Sequence, residues 1–298
     1  MRKKNILQRS AKYFISHDLV RWMPDRLYLQ LFYYAEFGKL INFKNPKTFN
    51  EKLNWLKLNY RRPELTTCVD KHEVKKYVAD KIGEEYIIPT IGVWDSFDEI
   101  NFVDLPDQFV LKCTHDSGGL VICKDKSKLD LAEARKKINH SLSSNYYYWT
   151  REWPYKNVKP RIIAEPYMED QQTGELRDYK FFCFNGEPKL MFVATERGTG
   201  NTAFDFFDMQ FKHLDIAQHY RNADILPSKP KNFDKMIELA KEISVGFPHV
   251  RVDLYEANGK VYFGEMTFYH FGAVVPFEPK EWDAKIGSLL TLPDRMNE

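Results

Sequence analysis

The chain has 298 residues, 43% of them hydrophobic and 29% charged, with 44 basic side chains against 42 acidic ones. This is an ordinary globular composition, long enough for a core that needs no staples, and its near balance of charge excludes a global field of the kind that gathers nucleic acid. No run of about 20 apolar residues is available to span a bilayer, and Cys68, Cys113, Cys123 and Cys183 form no C-x-x-C pair, so we expect reduced core thiols in a cytoplasmic protein, with neither zinc nor disulfides.

The start, Met1 to Lys12, is basic and lacks the apolar stretch of a secretory signal. Tyr13, Phe14, Ile15, Leu19, Val20 and Trp22 follow it. Two readings are open: a solvated tail leading into a packed helix, which we prefer, or a peripheral contact with the anionic inner membrane surface. Residues 5–60 read as helical. At 45–51 the pattern breaks and restarts, with Thr48 as N-cap and Glu51 three residues on, a capping box. Asp70 opens the next helix, whose apolar side is Val74, Tyr77, Val78 and Ile82 and which Gly83 ends. From residue 87 the period becomes strand-like: 87–93, Phe109–Cys113, Leu120–Cys123, 162–165, 179–184 and 190–193, with Asn185-Gly186 as a hairpin turn between the last two. Helices are predicted over about 130–143 and 233–244. Hairpins with helices, rather than βαβ units, predict an α+β fold with antiparallel sheets.

The densest signal is a hairpin joining Arg251-Val252-Asp253 to Gly264-Glu265-Met266-Thr267. Arg251, Asp253, Glu265 and Thr267 are all at odd positions. A three-residue loop, Ala257-Asn258-Gly259, would set Arg251 opposite Glu265 and Asp253 opposite Phe263, with both carboxylates on one face as diagonal neighbours. A two-residue turn would put them on opposite faces. Paired carboxylates suit Mg²⁺, which takes hard oxygen ligands and substrate phosphates; the plainer reading is a solvated face with an Arg–Glu pair. Upstream, Lys112 ends a strand before His115-Asp116-Ser117-Gly118-Gly119, a loop whose backbone N–H groups can approach phosphate, or simply a tight hairpin. Lys71 projects from a helix start. Glu165 ends an apolar strand before Pro166, where a carboxylate can accept from an adenine amino group, and Asp178 and Lys180 share one strand face.

Asp70-Lys71, Leu111-Lys112 with its Ser117-Gly118-Gly119 loop, the strand Ile162-Ile163-Ala164-Glu165, Asp178-Tyr179-Lys180, Arg251-Val252-Asp253 and Gly264-Glu265-Met266-Thr267 occur in one order. That order resembles the ATP-grasp superfamily. The segments 47–56, 178–186 and 264–269 look like its TupA-like branch, linked to teichuronopeptide and capsular polysaccharide biosynthesis. The resemblance covers about 45–275. It implies a helical region over 1–68, then an ATP-grasp domain over 69–298, with a small lid subdomain at about 85–160 and a larger metal-binding one at about 161–290, holding ATP between them. By similarity Lys71 and Lys112 bind ATP phosphates, and His115, Ser117, Gly118 and Gly119 form a loop closing over them. Glu165, Tyr167 and Met168 line adenine; Asp178, with Lys180 beside it, binds ribose and phosphate. Asp253 and Glu265, with Thr267, hold Mg²⁺, and Arg251 stabilises an oxyanion. Thr267 stands where many members have Asn, which places a second Mg²⁺ in question. Arg197, His270 and the aromatic stretch 146–155 are candidate substrate contacts.

The implied activity is an ATP-dependent carboxylate–amine ligase working through an acyl phosphate, joining an amino acid or amine to a uronic acid of a surface polysaccharide. Three alternatives stay open: a glycosyltransferase of the same pathway, a kinase acting on a sugar hydroxyl, and a nucleotide-binding module without catalysis.

Overall fold

The computed structural model describes residues 4–116, 118–197 and 199–294. In chain order the helices are α1 (Ile6–Ser16), α2 (Asp25–Phe37), α3 (Phe49–Asn59), α4 (Glu64–Val69), α5 (Glu73–Ile82), α6 (Leu131–Leu142), α7 (Tyr147–Thr150), α8 (Phe233–Ser244) and α9 (Glu281–Leu289). The strands are β1 (Gly92–Trp94), β2 (Phe109–Cys113), β3 (Leu120–Cys123), β4 (Ile162–Pro166), β5 (Arg177–Phe184), β6 (Glu187–Thr195), β7 (Ala203–Asp208), β8 (His213–Leu214), β9 (His249–Ala257) and β10 (Lys260–Thr267). They form two antiparallel sheets, one ordered β1-β4-β2-β3 and the other β10-β9-β5-β6-β7-β8.

Local sequence accounts for much of this. Thr48 and Glu51 make the expected reciprocal capping box on α3. Asp70 accepts from the backbone of His72 and Glu73 and so caps α5. Asn185 and Gly186, both at positive φ, turn β5 into β6. The predicted strand over 87–93 shrinks to Gly92–Trp94: a 3₁₀ turn occupies Glu84–Tyr86, Pro89 has no N–H to donate, and Ile87 makes a single parallel bridge to Phe263. β7, β8 and α9 were not anticipated. All four cysteines are buried free thiols.

Alternation divides each sheet's faces. On the larger sheet Phe181 and Cys183 meet α8, through the Phe233 ring and the Ala240 carbonyl, while Asp178, Lys180, Arg251 and Asp253 occupy the other face. On the smaller sheet Phe109, Leu111, Ile162 and Ala164 enter a core with Ile138 of α6, which leaves Lys112 and Glu165 together on the opposite face.

Candidate functional site

The turn between β9 and β10 has two residues, Asn258 and Gly259, both at positive φ, so Lys260 pairs with Ala257. The three-residue loop expected from the sequence is therefore absent. The carboxylates share a face nonetheless, because Gly264 is an extra residue in a bulge between Phe263 and Glu265. A Cβ there would lie 2.9 Å from the Tyr255 ring and 3.0 Å from the Asp253 carbonyl, tight enough to explain glycine. Beyond the bulge Glu265 pairs directly with Asp253, and Thr267 with Arg251, which corrects the expected pairings of Arg251 with Glu265 and Asp253 with Phe263. Lys180 of β5 is opposite Asp253 on the other side. One row thus reads Lys180, Asp253, Glu265 across three strands.

Arg251 spans the pair. Its Nε and Nη2 each donate to an Asp253 oxygen at 2.6 Å, Nη2 also reaches Glu265 Oε1 at 3.1 Å and Thr267 Oγ1 at 2.9 Å, and Nη1 donates to His270 Nδ1 at 2.8 Å. Lys180 also donates to Asp253, and Arg197 to Asp178. Asp253 is wholly buried, and desolvation pushes its carboxyl up to about 6 against the pull of Arg251 and Lys180. Glu265 keeps 41% of its side chain exposed. There desolvation loses to Lys180 and Arg251, which hold the carboxyl well below the usual range.

The smaller sheet carries a second cationic group. Lys112 and Lys75 both pair with the buried Glu165, Lys75 at 2.6 Å. Lys75 also donates to Ile88 O and Thr90 Oγ1, both at 2.8 Å. Their ammoniums outweigh burial and keep the Glu165 carboxyl low. Lys71 donates to the Asp116 carbonyl; burial lowers its pKa, and the nearby charges of Glu265 and Asp116 oppose that. Lys71 therefore lies between the two sheets' charged groups.

Several other expected site residues have partners of their own. His115 is turned away from this face, buried with Nε2 at 3.1 Å from the Ser141 carbonyl at the end of α6. The Gly119 N–H is committed to the Asp116 carboxylate, which also accepts from Ser141, so it is not a free phosphate donor. Gly118 is exposed, and Ser117 lies outside the described residues. Tyr167 donates to Glu169 at 2.6 Å beside an open groove of about 660 Å³, which it shares with Lys124 and Gln108; Met168 follows it, half-buried. His270 is no free base: Nδ1 accepts from Arg251, so Nε2 donates to Gln218 Oε1 at 2.8 Å, and burial with the adjacent Arg251 charge keeps the ring neutral. Arg197, the other candidate substrate contact, is half-exposed but engages Asp178. The aromatic stretch mostly fastens the N-terminal helices: Tyr147 donates to Asp25 at 2.5 Å, and Trp149 O accepts from Tyr28 at 2.8 Å.

The sequence reading missed Lys75, which lies in the first turn of α5, four residues after Lys71. It also missed Lys57 and Glu152. Lys57 is fully buried and donates to Thr150 O and Gly272 O at 2.7 and 2.6 Å, tying α3 to the segment that carries His270. Glu152, buried with its carboxyl pushed up by desolvation, accepts from Thr150 at 2.7 Å and feels the charges of Arg251 and Glu265.

Two carboxylates and a hydroxyl on one face are the donor chemistry that Mg²⁺ requires, and Glu265 is open enough to ligate. Asp253 has a cation on each oxygen and ligates only with the Arg251 fork turned off it. Among the described residues no group of three or more His, Cys, Asp or Glu is placed to hold a metal, so phosphate oxygens would complete such a site. Asp178 Oδ1 is buried and without a hydrogen-bond donor among the described residues, with the Lys180 ammonium 3.4 Å away.

Remote likenesses exist among solved structures. D-Alanine–D-alanine ligase from Bacillus anthracis, complexed with ATP, is 14% identical with a TM-score of 0.41 over 68% of this chain and 55% of that one. The Helicobacter pylori D-alanine–D-alanine ligase is 12% identical with a TM-score of 0.42 over 82% and 69%. The ATP-grasp ligase PsnB, complexed with a phosphomimetic variant of its minimal precursor, Mg and ADP, is 10% identical with a TM-score of 0.40 over 73% and 57%. The chain spans little more than half the length of the first and last of these. No curated protein matches it. The model of the TupA-like ATP-grasp family matches residues 51–291, and the chain belongs to that family.

Proposed function

We propose that the protein is an ATP-dependent carboxylate–amine ligase that uses Mg²⁺ and forms an amide on a uronic acid of a bacterial surface polysaccharide. The observation that carries the reading is Lys71, which feels the charges of both Glu265, in the pair held by Arg251 and Lys180, and Lys112, which with Lys75 holds Glu165 of the smaller sheet. Phosphoryl transfer is mostly positioning and charge neutralisation, which such a set supplies. Lys71 and Lys112 would hold the phosphates, Lys75 would hold Glu165, and Asp178 would take a ribose hydroxyl. Bound at Glu265 and Asp253, Mg²⁺ would supply neutralisation of phosphate charge.

In the reaction a carboxylate oxygen of the acceptor attacks the γ-phosphorus of ATP and ADP leaves. The amine nitrogen then attacks the acyl carbon, loses a proton, and phosphate departs. Arg251, once turned from Asp253, would donate to the oxyanion that develops at the acyl carbon. A second reading is a nucleotide-binding protein without turnover, and the observation favouring it is the same clamp of Arg251 on both Asp253 oxygens.

The test is Mg²⁺-dependent ADP release from ATP with a uronic acid and a pool of amino acids, for wild type, Asp253→Ala and the less buried Glu265→Gln. Release that needs both acid and amine and is lost in both variants supports the ligase. ATP binding without release under any acceptor supports the second reading, and no ATP binding refutes both.

A further inference from the structure

As the preferred reading of the N-terminus expects, α1 packs on the fold, but on one side only. Gln8, Ala11 and Ile15 are buried, the last two in a small core with Tyr28, Phe32 and Ala35. The opposite stripe is apolar and exposed: Ile6 at 78%, Leu7 at 67%, Tyr13 and Phe14. These positions recur at i, i+1, i+7 and i+8, so they form one face. The turn that follows extends it with Leu19 and with Trp22, which is 81% exposed. Clustered exposed side chains of this size mark an interaction surface.

The face is held, not frayed. Arg151 donates to the Arg21 carbonyl at 2.6 Å and lies over the Tyr28 ring, while the Arg21 guanidinium stacks on Tyr148 at 3.9 Å. Charge identifies the occupant. The first 22 residues contain six Lys or Arg and one Asp, whereas the other residues of the chain contain 38 basic and 41 acidic side chains. The segment thus carries a net +5, and the rest of the chain a net −3. Lys4 and Lys12 share Glu36, and Arg9 is exposed on the flank. Two copies of such a patch would repel. Exposed Trp, Tyr and Phe beside Lys and Arg match the headgroup region of a membrane, where amphipathic rings and cations both find partners.

We propose that α1 and the turn after it dock the protein on an anionic lipid bilayer, lying in the plane of the surface. No described helix is long and apolar enough to cross a membrane, so the attachment is interfacial. It would bring the site to a surface where acceptors attached to lipid can reach it, and it stands independently of the ligase reading.

The experiment is co-sedimentation of the full chain with phosphatidylcholine vesicles, with and without phosphatidylglycerol, at low and high salt. Binding is expected only with the anionic lipid and should weaken in high salt. It should fall at least about tenfold in Leu7→Glu/Phe14→Glu, since each change puts a charge on the exposed face that would enter the lipid. Trp22→Ser, in the turn rather than the helix, is the second variant and should weaken binding while the melting temperature stays unchanged. Failure of wild type to sediment with anionic vesicles, or equal sedimentation of variants and wild type, overturns the proposal. Dimers in solution that the same substitutions dissolve overturn it too, assigning the face to a second copy.

Discussion

Replacing Arg251 with lysine keeps the charge and removes the fork. Arg251 makes five hydrogen bonds to four side chains, from three nitrogens. A lysine ammonium is one point donor and cannot reach both Asp253 oxygens, Glu265, Thr267 and His270 together. One leg of the Asp253 pair is lost, worth about 1.5–3 kcal/mol for a charge-assisted bond. The buried Nδ1 of His270 loses its donor, at about 1–3 kcal/mol. Lys180 remains on Asp253 and offsets part of this, so the expected loss of stability is about 3 kcal/mol in urea denaturation. Arg251→Met, which leaves the buried Asp253 with Lys180 alone, should lose more, up to the about 3–5 kcal/mol of a broken buried pair. The stability arm does not depend on knowing the acceptor. On activity, loss of an oxyanion donor should lower kcat for ADP release about 10²–10³-fold, with ATP affinity changed little. An Arg251→Lys protein within about 1 kcal/mol of wild type and with kcat within about threefold would refute the geometry argued here, since neither the bidentate grip nor the transition-state role would then exist.

Two further predictions follow from the charges. Lys75→Met leaves Lys112 as the sole partner of Glu165, so Lys112 has less to offer phosphate; ATP affinity by calorimetry should fall about tenfold, or about 1.4 kcal/mol, and an unchanged Kd would exclude this role. His249, buried with Nδ1 at 2.9 Å from the Cys183 carbonyl, has its pKa lowered by desolvation to about 3, against 6.5 for a free histidine. The unfolded chain therefore takes up a proton below pH 6.5 that the folded chain refuses, and this share of stability, present above 6.5, is lost as pH falls toward 3. Between pH 7 and pH 5 the loss from this residue is about 2 kcal/mol. His249→Phe should lack that part of the acid sensitivity; identical slopes of stability against pH in the two proteins would show that His249 does not carry it.

What the sequence determined by itself is what neighbours along the chain decide. Thr48 and Glu51 are three residues apart and cap α3 as read; Asn185-Gly186 requires positive φ and turns there; alternation placed Asp178 with Lys180, and Arg251 with Asp253, on one face. The family resemblance came from the order of such local pieces, and the family match agrees with it. The turn of β9 into β10 was misjudged because two local solutions, a three-residue loop or a two-residue turn with a later bulge, put the same residues on the same face. Contact of Gly264 with Tyr255 and the Asp253 backbone, on the partner strand, is where they differ.

Tertiary structure alone decided which charges are partners. Lys75 and Glu165 are ninety positions apart, and nothing in either neighbourhood marks the pair; only the folded chain brings the ammonium of α5 to the carboxylate of β4. The same holds for His270, whose ring is consumed by Arg251 and Gln218, and for His115, turned into α6. Periodicity named an apolar side on α1 without saying which apolar residues find a core. Ala11 and Ile15 meet α2, Ile6 and Leu7 stay mostly exposed, and only the packed fold separates them, because burial is a property of a surface and what covers it.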